Sequence, residues 1–213
     1  MLPAAQRALW PKLKEVPRHF VLYGGTALAL RLGHRTSVDF DLFSSEPIAP
    51  AELRNALSFL ANAEPLQIAP NTLTVSVSCP EPVKISFFGG LRLGRVKEPE
   101  WSDDGVMQVA SLLDVAACKM AVVQERPEAK DYLDVYAILR SGVTLPEVLG
   151  AAQAVYGEQF NSMISLKALS YFGDGNLATL PEEVKRILRE TSVAVKEIPT
   201  FARLGGGLAP LKT

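Results

Sequence analysis

The sequence predicts an α+β protein: a lobe built on a mixed sheet over residues 1–105, followed by an α-helical lobe over 106–213. Three observations carry that expectation. The strand-like runs HFVLY (19–23), VDFDLF (38–43), TLTVSVS (72–78) and VKISFF (83–88) all fall in the first half, with helix-forming stretches between them. A turn-rich, acidic segment, EPEWSDDG (98–105), then marks a change of composition. From Ser111 onward the extended patterns are helical.

Residues 3–15 read as a short helix broken at Pro11, because proline inside a helix removes a hydrogen bond and clashes with the preceding turn. HFVLY is rich in β-formers and ends at Gly24-Gly25, so it reads as a strand feeding a sharp turn. TALALRL (26–32) is made of helix formers, and Gly33 suits the residue just past its end. VDFDLF alternates apolar and acidic residues with period two, as a half-exposed strand does. Pro47 and Pro50 introduce a helix reaching about Leu60, and TLTVSVS and VKISFF flank CPEP (79–82) as a hairpin.

In the second half, LLDVAACKMAVVQ (112–124) and EAKDYLDVYAILRSG (128–142) read as two helices joined near Pro127, the second stopped by Gly142. TLPE (144–147) is a capping box with proline in the first helical turn. SMISLKALSYF (162–172) and PEEVKRILRETSVAVKEI (181–198) supply two more helices. The Gly-rich tail RLGGGLAPLKT (203–213) is expected to fray.

Composition narrows the function classes. With 213 residues, 48% hydrophobic and 21% charged, the chain buries a real core and is not disordered as a whole. The formal net charge is −1, so no global basic field advertises nucleic acid, and such a partner must meet a local patch. Cys79 and Cys118 lie far apart without CxxC or Cys/His clustering, which speaks against a disulfide framework or zinc site and for a cytoplasmic setting. Pro3, Arg7, Pro11 and Lys12 interrupt the N-terminus, and no window approaches the ~18 apolar residues of a membrane span. No membrane partner is expected.

The chemistry concentrates in residues 23–45. On an extended VDFDLF, Val38, Phe40 and Leu42 share one face and Asp39 and Asp41 the other, with alpha carbons about 6.5–7 Å apart. Carboxylates so placed repel each other unless a cation joins them, and they converge on one Mg²⁺ or bridge two. The bland alternative is a solvated strand with its acids in water. Gly24-Gly25 frees the backbone for positive φ and close approach of a ligand, ahead of helix N–H groups near Thr26 that hold a phosphate. By itself that pair is also ordinary turn chemistry.

In order, YGG, thirteen residues (26–38) and DFDL resemble the signature of the DNA polymerase β-like nucleotidyltransferase superfamily. The longer string LYGGTALALRLGHRTSVDFDLF is similar to one branch, the AbiEii/AbiGii toxin family of nucleotidyltransferases. The resemblance implies a polymerase β-like lobe in which Gly24 and Gly25 cradle the triphosphate of an NTP and Asp39 and Asp41 hold catalytic Mg²⁺. It also implies that Arg35 and Ser37 contact phosphate or brace the loop. The acceptor it implies is a hydroxyl of RNA, such as a tRNA 3′ end, and the cellular role is the toxin of a toxin–antitoxin or phage-defence pair with a cognate antitoxin protein.

A second stretch, DVAACKMAVVQERPEAKDYLDVYAIL, looks like a further signature of that family, with Lys119, Arg126, Lys130, Asp131 and Asp134 as the matching residues. Lys119 lies among apolar residues and must snorkel, pair or face a ligand. Two roles are open to it: an ion pair with Asp131 that pins two helices, or a catalytic contact with nucleotide phosphates. Asp131 is correspondingly catalytic support or the lysine's orienting partner. The chain departs from the superfamily at the third carboxylate, for VKISFF has Ser86 where an acid is expected and Lys84 on the same face, so either Asp131 supplies the acid, or a water replaces it, or activity is weak or lost. For an RNA acceptor the sequence offers Arg31, His34, Arg35, Arg92, Arg95 and Lys97 as basic groups, with a solvated surface as the alternative, and Trp101 and Tyr132 as stacking aromatics or partly buried side chains.

Overall fold

The alternation in the first half of the chain becomes a seven-stranded sheet. The computed structural model describes residues 2–205 and 207–210. They form two compact units, the first from the described residues of 1–93, 98–111 and 205–213 and the second from 94–97 and 112–204.

In the first unit, α1 (Ala4–Leu9) tightens into a 3-10 turn, Trp10–Glu15, at Pro11. β1 (Val21–Tyr23) runs directly into α2 (Gly24–Leu32), which Gly33 ends at φ 61°. β2 (Asp39–Phe43) follows, and then α3 (Pro50–Ala56). The helix expected to reach Leu60 stops early because Leu57 is extended and buried, and Ser58–Leu60 is a separate 3-10 turn. β3 (Glu64–Ala69), β4 (Thr72–Ser78) and β5 (Pro82–Phe88) form a meander, and β6 (Glu100–Trp101) and β7 (Gln108–Val109) complete the sheet.

The strand order is β3-β4-β5-β2-β1-β7-β6. β2 is antiparallel to β1 and parallel to β5, so it lies in the middle of the sheet. Leu22, Leu42 and Phe87 sit in one cross-strand row and are fully buried, as are Phe40 and Ile85 in the next register. Each such side chain contributes about 1.5–3 kcal/mol on burial, which holds the register that sends Asp39 and Asp41 to the opposite face. Residues 106–111, expected with the helices, go with the sheet because β7 pairs in parallel with β1. In the tail expected to fray, Leu208 is buried and its N–H donates to Ser45 Oγ at 3.0 Å, while residues 206 and 211–213 lie outside the described residues.

The second unit is helical: α4 (Leu112–Glu125), α5 (Ala129–Arg140), α6 (Leu145–Tyr156), α7 (Ser162–Ala168) and α8 (Glu182–Ala194). Buried Asp114 on α4 accepts from the N–H groups of Val96 (2.7 Å) and Lys97 (3.2 Å), which fastens 94–97 to the helices. Among the described residues no helix is long and apolar enough to cross a membrane.

The capping box at α6 is formed in full. Thr144 Oγ1 accepts from Glu147 N–H, and Glu147 Oε2 accepts from Thr144 N–H at 2.8 Å. Those bonds, the side-chain one first, hold the Glu147 carboxyl below the usual carboxylate range. Because the folded pKa is lowered, its stabilisation is present above the unfolded pKa of about 4.3 and is lost as pH falls through the folded value. Thr144→Ala is expected to cost about 1 kcal/mol by urea unfolding at pH 7, with a smaller gap at pH 3. An equal gap at both pH values would contradict the linkage.

Candidate active site

Tyr23 closes β1 in an extended conformation, and Gly24 then turns the chain at φ 69°, a left-handed value that favours glycine. α2 begins in that turn, so its first N–H groups lack intrahelical partners and carry the positive end of the helix dipole. A Cβ built on Gly24 would collide with the Asp41 carboxylate. One built on Gly25 would come within 2.8 Å of Arg35 Nη2 and 2.9 Å of Ser37 Oγ. The glycine turn, Asp41, Arg35 and Ser37 therefore meet at one place in the first unit.

Two contacts set that convergence. Tyr23 stands in register with Asp41 across the β1–β2 ladder. Thr26, fully buried, donates its hydroxyl to the Asp39 carbonyl and clamps the first turn of α2 to β2. Thr26, expected among the nucleotide-binding residues, thus has its hydroxyl committed to β2, and its backbone N–H is the group at the helix N-terminus. Gly24→Ala combines an unfavourable φ with this collision, and is expected to destabilise the protein by ~1–2 kcal/mol. A thermal melt unchanged from the native chain would show that the turn is not tight.

Asp39 and Asp41 are half-buried on the face of β2 opposite the core. The parallel ladder to β5 places Lys84 beside Asp39 and Ser86 beside Asp41. Lys84 Nζ lies 2.9 Å from Asp39 Oδ2, with the two side chains 44% and 37% exposed. Ser86 is buried and accepts from Thr74 Oγ1 at 3.3 Å. The serine thus stands next to the acid pair where the third carboxylate was sought. Among the described residues no three or more His, Cys, Asp or Glu side chains gather as a metal cluster. Two carboxylates still suit Mg²⁺, which commonly takes one or two from the protein and fills its octahedron with phosphate oxygens and water.

The second constellation assembles within the helical unit. Lys119 on α4 is buried, with Nζ 2.7 Å from Asp131 Oδ1 and 2.8 Å from Asp134 Oδ2 on α5, and both aspartates have no exposed side-chain surface. Arg126 Nε reaches Asp131 Oδ2 at 2.9 Å and its Nη2 reaches Oδ1 at 3.3 Å. Lys130 instead pairs with Glu128 at 2.8 Å. Through these contacts Lys119 ties α4 to α5. Asp131 is its partner, with both oxygens engaged by Lys119 and Arg126. The share of Asp134 in the lysine was not read from sequence, although its i,i+3 spacing from Asp131 on one helix face was the available signal.

The residues expected to face RNA are scattered in role. Arg31 is tied to the carbonyls of Ala110 and Val109 and to Glu100 at 3.0 Å, which binds α2 to β6 and β7. Arg95 is buried. Tyr132 is 2% exposed, donates to the Ala168 carbonyl at 3.3 Å, and is pushed by burial to a pKa of about 12, so it packs in the core and is not a stacking platform. Trp101 is 46% exposed, with the Arg18 guanidinium 5.6 Å from its ring centroid.

The family model described as nucleotidyl transferase AbiEii toxin, type IV TA system, matches residues 12–204. This chain belongs to the AbiEii nucleotidyltransferase toxin family. It is 30% identical over 158 residues to an uncharacterized protein of Aquifex aeolicus (strain VF5), covering 73% of this chain and 74% of that one. Its fold is shared with MenT4, a nucleotidyltransferase toxin from Mycobacterium tuberculosis H37Rv, at TM-score 0.60 and 15% identity over 90% of this chain and 82% of that one. It is shared too with a putative nucleotidyltransferase from H. pylori, at TM-score 0.55 and 16% identity over 89% and 90% of the two chains. The resemblance read from LYGGTALALRLGHRTSVDFDLF is borne out, as is the α+β fold class, and the AbiEii assignment makes the protein a nucleotidyltransferase.

Proposed function

We propose that this AbiEii-family protein transfers a nucleoside monophosphate from an NTP to an acceptor hydroxyl of RNA, with a tRNA 3′ end as the acceptor, and releases pyrophosphate. The observation that carries the reading is the contact between the glycine turn and Asp41, which sets phosphate-binding amides against metal-binding carboxylates. The N–H groups at the start of α2, with Arg35 and Ser37 beside Gly25, receive the β- and γ-phosphates. Asp39 and Asp41 hold Mg²⁺, which when bound supplies Lewis-acid stabilisation of phosphoryl charge and a lower pKa for the acceptor hydroxyl. Lys119 and Asp131 serve from within the scaffold, fixing α4 against α5. In the cell the protein acts as the toxin restrained by an antitoxin protein, in keeping with its family.

Incubation of the protein with total tRNA, MgCl₂ and each α-labelled NTP tests this directly. Label in tRNA that disappears on omission of magnesium is the expected result. Label in protein, or in no acceptor despite NTP binding, goes against it. Ser86 beside Asp41 favours a second reading, a nucleotide-binding module that has lost transfer, and binding without any transfer is its mark.

A further inference from the structure

The acidic pair already has a cation from its own chain. Lys84 stands beside Asp39 in the parallel ladder and brings Nζ to 2.9 Å from Asp39 Oδ2, whereas Ser86, the next residue on that face, brings no charge to Asp41. At that distance the ammonium occupies a lone-pair direction a divalent ion needs, and its charge repels the ion.

Resting on the reading of Asp39 and Asp41 as metal carboxylates, we propose that Lys84 is a resident counter-cation of Asp39 and competes with the divalent ion for that carboxylate. The lysine is suited to leave. Its side chain is 44% exposed on a flexible four-carbon stem, while its backbone stays paired on both sides in β5. An ion arriving alone must displace the ammonium into water. An ion arriving with a triphosphate gives the displaced ammonium new anionic partners. Lys84 thereby couples metal binding to nucleotide binding, and holds down the affinity for bare metal.

Titration of the full chain with Mn²⁺ in the absence of nucleotide, with unbound Mn²⁺ read by electron paramagnetic resonance, tests the proposal. Lys84→Gln is expected to bind Mn²⁺ roughly three- to tenfold more tightly than the native chain, and Lys84→Arg to stay near it. The double variant Asp39→Asn/Asp41→Asn is expected to lose the site. Equal or weaker binding by Lys84→Gln, with the site lost in the double variant, overturns the role of Lys84 alone. Native-like binding by the double variant overturns the acidic-pair reading, and the role of Lys84 with it.

Discussion

Asp41→Asn is expected to lower nucleotidyl transfer by about a thousandfold while leaving the fold intact. The amide keeps the shape of the side chain but removes one of two carboxylates placed for the metal, and losing a group that acts on transition-state charge costs ~3–4 kcal/mol of barrier. The fold survives because Asp41 faces away from the core, whereas its strand neighbours Phe40 and Leu42 carry the packing. The substitution also relieves the repulsion between Asp39 and Asp41, so the melting temperature should hold or rise slightly. Asp39→Asn should match it in activity, with a small added stability cost from the Lys84 pair, since half-exposed ion pairs contribute only ~0–1 kcal/mol. Transfer of label at native rates by either variant would show that these carboxylates do not hold the catalytic cation.

Lys119→Met is expected to have the largest effect on stability, a loss of about 3–5 kcal/mol in urea unfolding. The lysine is the shared partner of Asp131 and Asp134, neither of which has exposed side-chain surface. Removing it leaves Asp134 with a buried charge that has lost its 2.8 Å ion pair, while Asp131 keeps Arg126. That imbalance, more than the lost attraction, makes the cost large. Since a domain's whole stability is about 5–15 kcal/mol, this one change approaches the unfolding threshold. Adding Asp134→Asn to Lys119→Met should recover part of the loss by removing the buried charge that the lysine had paired. A cost below about 1 kcal/mol for the single variant would show that the ion pairs do not pin α4 to α5.

Much of this site was legible because the residues that build it are close in sequence. Gly24 and Gly25 open α2 and Asp39 and Asp41 lie on β2, flagged by strong local signals: a glycine turn, a helix-forming run and a period-two strand. What escaped the sequence was non-local. The partnership of Lys84 with Asp39 depends on the parallel register of β2 and β5, and no local pattern specifies which strand a strand lies beside. β3 was missed because it is an edge strand exposed along most of its length, so no hydrophobic alternation marks it. β6 and β7 are two residues each and exist through their pairing with each other and with β1. In the helical half, the apolar setting of Lys119 left snorkelling, pairing and ligand contact all open. The identity of the second aspartate needed the packing of α4 on α5.

On the proposed reading, the glycine turn and the acid pair are two halves of one phosphate-and-metal site. Paramagnetic broadening by Mn²⁺, added with a non-hydrolysable NTP analogue to ¹⁵N-labelled protein, tests it most directly. The amide resonances of Gly24, Gly25 and Thr26 should broaden together with those of Asp39 and Asp41, and Asp41→Asn should abolish the effect at all five. Broadening at Asp39 and Asp41 that spares the glycine amides, or that centres elsewhere in the chain, would contradict the account.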